Sequence, residues 1–208
     1  MLGHAPGVTL SVNSNTRPAR HRGIMSIKLD PHNEWLEHVR RLPSPNCDER
    51  PAGTAIDLLV IHAISLPPRQ YGGPYIDQLF TNTLDVPAHP YFSEIKDLRV
   101  SPHLLINRKG QVSQYVPFTK RAWHSGESEF KGRQVCNDFS IGIELEGCDE
   151  EPFEKIQYER VAGITDILRA NCSAISRQRI VGHSDIAPAR KTDPGPAFDW
   201  DYFFSLLG

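Results

Sequence analysis

Cysteine is scarce in this 208-residue chain: Cys47, Cys136, Cys148 and Cys172 stand far apart, with no CxxC pair. That spacing argues against a zinc ribbon, and at this length it indicates no disulfide framework. Unpaired thiols fit a reducing compartment. An excess of one charge is missing too. Lys and Arg number 23 against 25 Asp and Glu, a formal net charge of −2 with the nine histidines taken as neutral. Such a chain is not built to neutralise nucleic-acid phosphates in bulk. No apolar run approaches the ~18–20 residues that span a bilayer. The first 24 residues lack acidic side chains, and they lack a signal-peptide core, since the short "GVTLSV" precedes the arginines instead of following them. They read as a disordered leader or an upstream start, with Met25 as a plausible beginning and a transit peptide as the lesser alternative. The whole chain is 39% hydrophobic and 23% charged, enough for one domain of ordinary size.

Strand and helix patterns alternate along it. "DPHNEWLEHVRRL" (30–42) predicts a short helix with Asp30 as N-cap. "AIDLLVIH" (55–62) is a near-continuous, β-branched apolar run and predicts a buried strand. "YIDQLF" begins a helix, and a polar excursion follows over 81–97. "HLLINRKGQVSQYVP" (103–117) has the form of a hairpin turning at Gly110. "DFSIGIELEG" (138–147) is a further strand, and "PFEKIQYERVAGITDILRANC" (152–172) is the longest helical stripe. "RQRIVGH" reads as a short strand and "AFDWDYFFSLL" (197–207) as a closing helix. Because the hairpin excludes an all-parallel sheet, the expected fold is α/β: a single domain with a mixed β-sheet flanked by helices.

Chemistry gathers at strand ends. His62 closes "DLLVIH" and His183 closes "RIVGH", where ligand sites form in open α/β sheets. Two imidazoles, one carboxylate and an open position make up a catalytic zinc site. Asp193 supplies the carboxylate if "SDIAPARKT", read as a stiff loop, turns back. Taken singly, each residue also has an ordinary explanation: a structural histidine, or an aspartate that starts a turn before Pro194. Glu144 is unusual inside an otherwise apolar strand. It shares a face with Glu146, and it is either a general base in a cleft or one of two solvated carboxylates. Lys191, two residues from Asp193, is either a stabiliser of developing negative charge or an exposed surface lysine.

Read in order, "LLVIHAISLPP", "YGGPYI", "LRVSPHLLI", "RAWHSG", "CNDFSIGIELEG" and "GHSDIAPARKTDPGPAFDW" resemble the AmpD-type N-acetylmuramoyl-L-alanine amidases. These belong to the zinc amidases related to peptidoglycan-recognition proteins and phage T7 lysozyme. The resemblance runs from about Trp35 to Trp200. It implies an amidase domain over residues 29–208, with residues 1–28 outside it. It implies one zinc ion per chain, held by His62, His183 and Asp193, with Glu144 as the base on the attacking water and Lys191 at the tetrahedral intermediate. The implied reaction cuts the amide between the lactyl group of N-acetylmuramic acid and L-alanine in 1,6-anhydro-muropeptides, during cytosolic wall recycling. The partner is then a muropeptide, with no nucleic acid and no membrane. The resemblance also nominates Arg99 and Arg190 for the carboxylates of the peptide and Trp123 for the sugar. Where the family often carries arginine before "CNDF", this chain has Val135, which makes Arg133 the substitute contact. His103 and His124 lie in the matching words without being zinc ligands, and His89 reads as structural.

Two rivals are a muropeptide sensor that has lost its metal, and an exported amidase acting on the wall itself. The complete set of two histidines, Asp193, Glu144 and Lys191 opposes the first, and the lack of a signal-peptide pattern opposes the second.

Overall fold

The computed structural model describes residues 27–32 and 34–208. The proposed leader therefore lies outside the described residues, except for Ile27 and Lys28. Ile27 already packs on the main core.

Two strands form the spine because both can be buried on both faces. β3 (Leu58–Ile64) and β9 (Ser140–Glu146) pair in parallel over seven residues, Leu58 opposite Ser140 through Ile64 opposite Glu146. Strands so enclosed read as apolar runs. β1 (Arg40–Arg41), β4 (Leu104–Ile106), β5 (Val112–Gln114) and β10 (Ile180–Gly182) complete a six-stranded sheet in the order β1-β5-β4-β9-β3-β10. Only the β4–β5 hairpin is antiparallel within it. The smaller pairs are β2 (Cys47–Glu49) with β6 (Lys120–Ala122), and β7 (Glu129–Phe130) with β8 (Arg133–Gln134).

Period two divides the sheet's residues between its faces. Leu59, Ile61, Ile141, Ile143 and Leu145 enter the main core. α3 (Lys155–Asn171) covers that face, capped by the reciprocal bonds of Glu154 and Gln157, and it packs on α5 (Trp200–Leu206). The other face carries Leu58, Val60 and His62 of β3 and Ser140, Gly142 and Glu144 of β9. Helices α1 (Tyr75–Phe80) and α2 (Phe92–Ile95) lie over it through Leu79, Phe80, Phe92 and Ile95, which cluster with Leu105 and Tyr115. The excursion at 81–97 is thus anchored, with Phe92 fully buried.

The structure corrects three expectations. No helix forms among the described residues of 30–42. Leu29 bridges Leu36, Glu37 N donates to the Lys28 carbonyl, and His38 takes a φ of 61°. Asp30 Oδ1 accepts from Glu34 N at 2.9 Å, as a cap would, but only a turn is closed. The buried Gln114 then takes the Glu34 carbonyl and the Leu36 N–H, which a helix would need. Second, His62 does not end its strand, which continues to Ile64. Third, the stretch after Gly182 is not all loop. His183 opens a single helical turn, α4 (His183–Ile186), whose first turn is closed by Gly182 N donating to Asp185 Oδ2 at 2.7 Å.

Candidate active site

Register places the first pair. His62 on β3 stands directly beside Glu144 on β9, with Leu105 of β4 on the far side of Glu144. Gly182 is paired with Ile61, so His183 continues the chain alongside His62. The ligand loop then returns: Arg190 N and Lys191 N both donate to the Ala187 carbonyl, and Ser184 N donates to the Asp193 carbonyl at 2.9 Å. Gly195, at φ 81°, lies against the Asp149 backbone too closely for any side chain.

These constraints bring three donor atoms together. His62 Nδ1 lies 2.9 Å from His183 Nδ1 and 3.2 Å from Asp193 Oδ2, and His183 Nδ1 lies 3.1 Å from the same oxygen. Both histidines are buried, at 1% and 3% exposure. With Asp193 they form the one group of three such side chains, among the described residues, whose donor atoms stand close enough to hold a metal ion. Ligands of a tetrahedral zinc, bonded at ~2.0–2.1 Å, stand roughly 3.3 Å apart, so the observed triangle fits.

Protonation agrees with that fit. His183 Nε2 faces the Ser125 carbonyl at 3.2 Å. A carbonyl only accepts, so Nε2 carries a proton, and a cation in the triangle would take the Nδ1 lone pair in place of the Nδ1–H that faces Asp193 without it. Burial pushes the His62 imidazole down to about 4, against the hydrogen bond to Asp193. Burial alone would raise the Asp193 carboxyl, but bonds with His183 and His62 outweigh it and hold the group well below the usual carboxylate range. A neutral His62 imidazole beside an ionised carboxylate is the state in which such groups bind a cation.

Glu144 is the counterpart. Its Oε2 is buried with no hydrogen-bond partner, a costly condition that points to a missing companion. Burial and the nearby Asp193 charge raise its pKa well above the ordinary range, opposed by the Lys191 ammonium. Glu146 shares the face but not the role. It accepts from Gly72 N at 2.6 Å and Arg108 N at 3.0 Å, which ties two loops together. Neither glutamate is simply a solvated carboxylate.

A cleft of about 460 Å³ opens over His183 and Asp193, with His62 buried behind them. Its floor includes Glu144, His183 and Asp193, one wall is apolar (Leu66, Leu79, Phe80), and Arg190 and Lys191 stand at the other. A larger cavity of about 740 Å³ beside Arg40 and Lys109 holds none of the trio, so chemistry decides between them and volume does not. Arg190 braces the far wall by donating to the Ser125 and Glu127 carbonyls at 2.6 and 2.8 Å. The remaining nominees lie outside the cleft lining. Arg99 is exposed at the rim and donates to the Lys96 and Leu98 carbonyls. Trp123 Nε1 donates to Asp48 at 3.1 Å. Arg133 pairs with Asp57 at 2.7 Å and stacks on Phe139.

Sequence reasoning passed over two residues here. His124 reaches His62, and Asn137 Oδ1 fixes the corner beneath it by accepting from His124 N, Ser125 N and Ser125 Oγ. Both lie in words already singled out, "RAWHSG" and "CNDF", but nothing local marks them as site residues.

The comparisons with known proteins agree with this geometry. The family model described as N-acetylmuramoyl-L-alanine amidase matches residues 52–196. A 1,6-anhydro-N-acetylmuramyl-L-alanine amidase AmpD of Escherichia coli K12 is 56% identical over 173 residues, covering 83% of this chain and 94% of that one. The crystal structure of a selenomethionine AmpD derivative superposes with a TM-score of 0.83 at 54% identity, over 86% of this chain and 99% of the other. The amidase AmiD from E. coli, solved with anhydro-N-acetylmuramic acid-L-Ala-D-γ-Glu-L-Lys as substrate, matches at a TM-score of 0.54 and 27% identity, over 88% of this chain and 66% of the other.

Proposed function

This chain belongs to the N-acetylmuramoyl-L-alanine amidase family, and on that premise we propose that it hydrolyses the lactyl–L-alanine amide of 1,6-anhydro-muropeptides with one zinc ion held by His62, His183 and Asp193. The observation that carries this reading is the convergence of three donor atoms within 3.2 Å of one another, beside a carboxylate whose Oε2 is buried without a partner. When bound, zinc supplies a Lewis acid for the scissile carbonyl and lowers the pKa of a water toward ~7.

The chain's own groups do the rest. Glu144 takes the proton of the attacking water at its free Oε2 and returns it to the departing L-alanine nitrogen. Its raised pKa suits a group that must hold a proton between those two events. Lys191, at the cleft wall, meets the negative charge that grows on the carbonyl oxygen. The apolar wall keeps bulk water from that charge, which strengthens every polar contact within. Arg190, already aligned along the wall, is the carboxylate clamp that the geometry favours. Arg99 reaches the rim through its neighbours Leu98 and Val100, both of which line the cleft. Trp123 and Arg133 would contact substrate only after leaving Asp48 and Asp57.

Among the described residues, no helix is long and apolar enough to cross a membrane. Four free cysteines support a reducing, cytosolic setting for the recycling reaction. The test is parallel turnover of anhydro- and reducing-end muropeptides by the purified chain, with elemental analysis of the same sample. About one zinc per chain and a preference for the anhydro form are expected. A chain that binds muropeptide without cleaving it would instead be a sensor.

A further inference from the structure

We propose that His124 is a positioning residue that fixes the His62 imidazole for metal binding, and that position 142 is glycine to leave the His124 ring its place. The inference rests on the metal reading above and deepens it.

The two ligand histidines solve the same problem differently. Each must keep Nδ1 free of a proton, so each must carry its proton on Nε2 and give it to an acceptor. For His183 the acceptor is the Ser125 carbonyl, which can do nothing else. For His62 no carbonyl is within reach of Nε2. The group that faces it is His124 Nδ1, at 2.9 Å, with the rings edge-on and their centroids 5.0 Å apart. An imidazole nitrogen either donates or accepts, so His62 has the right tautomer only if His124 presents its Nδ1 lone pair. His124 does so when its own proton sits on Nε2, and there Ser140 Oγ waits at 3.0 Å. Ser140 is held from below, its carbonyl accepting from the Arg50 guanidinium at 2.8 Å. The chain of bonds therefore runs His62 to His124 to Ser140, with β9 as its base.

The ring of His124 is held just as closely. A Cβ placed on Gly142 would lie 2.5 Å from both Cγ and Nδ1 of His124. Those are the atoms that orient the acceptor, and no side chain fits there without moving the ring. The Gly142 backbone meanwhile pairs with His103, whose Nδ1 accepts from Gly142 N at 3.0 Å. The strand cannot retreat from the ring without breaking that bond.

Zinc affinity of the full-length protein, measured by competition with a chromophoric chelator, is the direct test. Partners of this kind typically contribute 10–100-fold to metal affinity. His124→Ala should weaken zinc binding by about that factor. His124→Asn should stay close to the parent, because its amide oxygen falls near the Nδ1 position and accepts from His62. Gly142→Ala should weaken binding while His124 is present and add little in the His124→Ala background. Unfolding in excess chelator runs in parallel. A loss of metal-free stability with unchanged zinc affinity in all three variants would make His124 a packing residue and overturn the proposal. If His124→Ala does not fold, the contrast between Gly142→Ala and His124→Asn decides alone, and equal affinities in those two refute it. A parent protein that takes up no zinc would instead remove the metal reading itself, and this inference with it.

Discussion

At the scale of single residues, the site separates groups that sequence spacing cannot. Glu144 and Glu146 are two positions apart on one face. One has a buried oxygen with no partner, and the other has both oxygens bonded to backbone N–H groups. Glu144→Gln should keep zinc and fold while lowering kcat by roughly 10²–10⁴, the range of a general base. Steady-state kinetics on anhydro-muropeptide beside a zinc determination would show it, and a variant with near-parental kcat would remove Glu144 from the mechanism. Glu146→Ala should do the reverse. It removes the shared acceptor of two part-buried N–H groups, those of Gly72 and Arg108, at about 0.5–1.5 kcal/mol each, so denaturant unfolding should register the change more than turnover does. In the proposed mechanism Lys191, which lines the cleft, meets charge only as the amide is attacked. Lys191→Ala should therefore lower kcat and kcat/KM together by about 10²–10³. A steep rise in KM at constant kcat would recast it as a carboxylate-binding residue.

At the scale of elements, the loop before β9 holds a backbone defect. Val135 sits at φ 57° and ψ 62°, just before the turn at Cys136–Asp138, with its side chain 48% exposed. A left-handed conformation costs an L-residue about 1–2 kcal/mol, and β-branching makes it less tolerable still. Little packing offsets that cost at such exposure. Val135→Asn or Val135→Gly should raise stability by up to about 1 kcal/mol, read as an upward shift in the denaturation midpoint. A lower midpoint would mean that the valine side chain makes a stabilising contact worth more than the strain. The ordinary elements were legible because their signals are local. α3 carries its own stripe, the β4–β5 hairpin its own Gly110 turn, and β9 its own alternation around Glu144. The stretch at 30–42 was misread for the opposite reason. Its cap-like Asp30 bond is real, but Gln114, some 80 residues away, claims the backbone groups that a helix would use.

At the scale of the whole molecule, the site face has a distinct pH response. Burial holds His62 down to about 4, and holds His103 and His124 well below the usual histidine range. In the unfolded chain all three titrate near ~6.5. Below that pH the unfolded state binds protons that the folded state refuses. For these three groups stability is complete above the unfolded value and falls as pH drops from about 6.5 toward the folded values, while Glu144, whose carboxyl is raised by burial, has the opposite sign and offsets the slope of one histidine, leaving a net decline. Each histidine contributes a slope of at most about 1.4 kcal/mol per pH unit. Denaturant unfolding of the chelator-treated protein between pH 7.5 and 5, set here as the test range around that ~6.5 reference, should trace the decline. A flat profile would show that the histidines protonate without unfolding.

The candidate site residues were legible in the sequence, as residue types in context and then through the family resemblance. His62, His183, Asp193, Glu144 and Lys191 were nominated by residue type and strand context, because metal ligation and proton transfer need particular side chains and few others can substitute. The mixed sheet was legible on the same terms, since periodicity is written residue by residue. Only the tertiary structure decided how those residues are used. Parallel register between strands some 80 residues apart puts Glu144 beside His62 and gives Glu146 to two loops. A long, flexible arginine carries no address in its sequence neighbourhood, so the fold alone could turn Arg190 along the cleft wall and give Arg133 to Asp57. His124 was the least visible of all. Its place depends on the absence of a side chain at Gly142, and such a gap has meaning only once the strand and the ring are packed together.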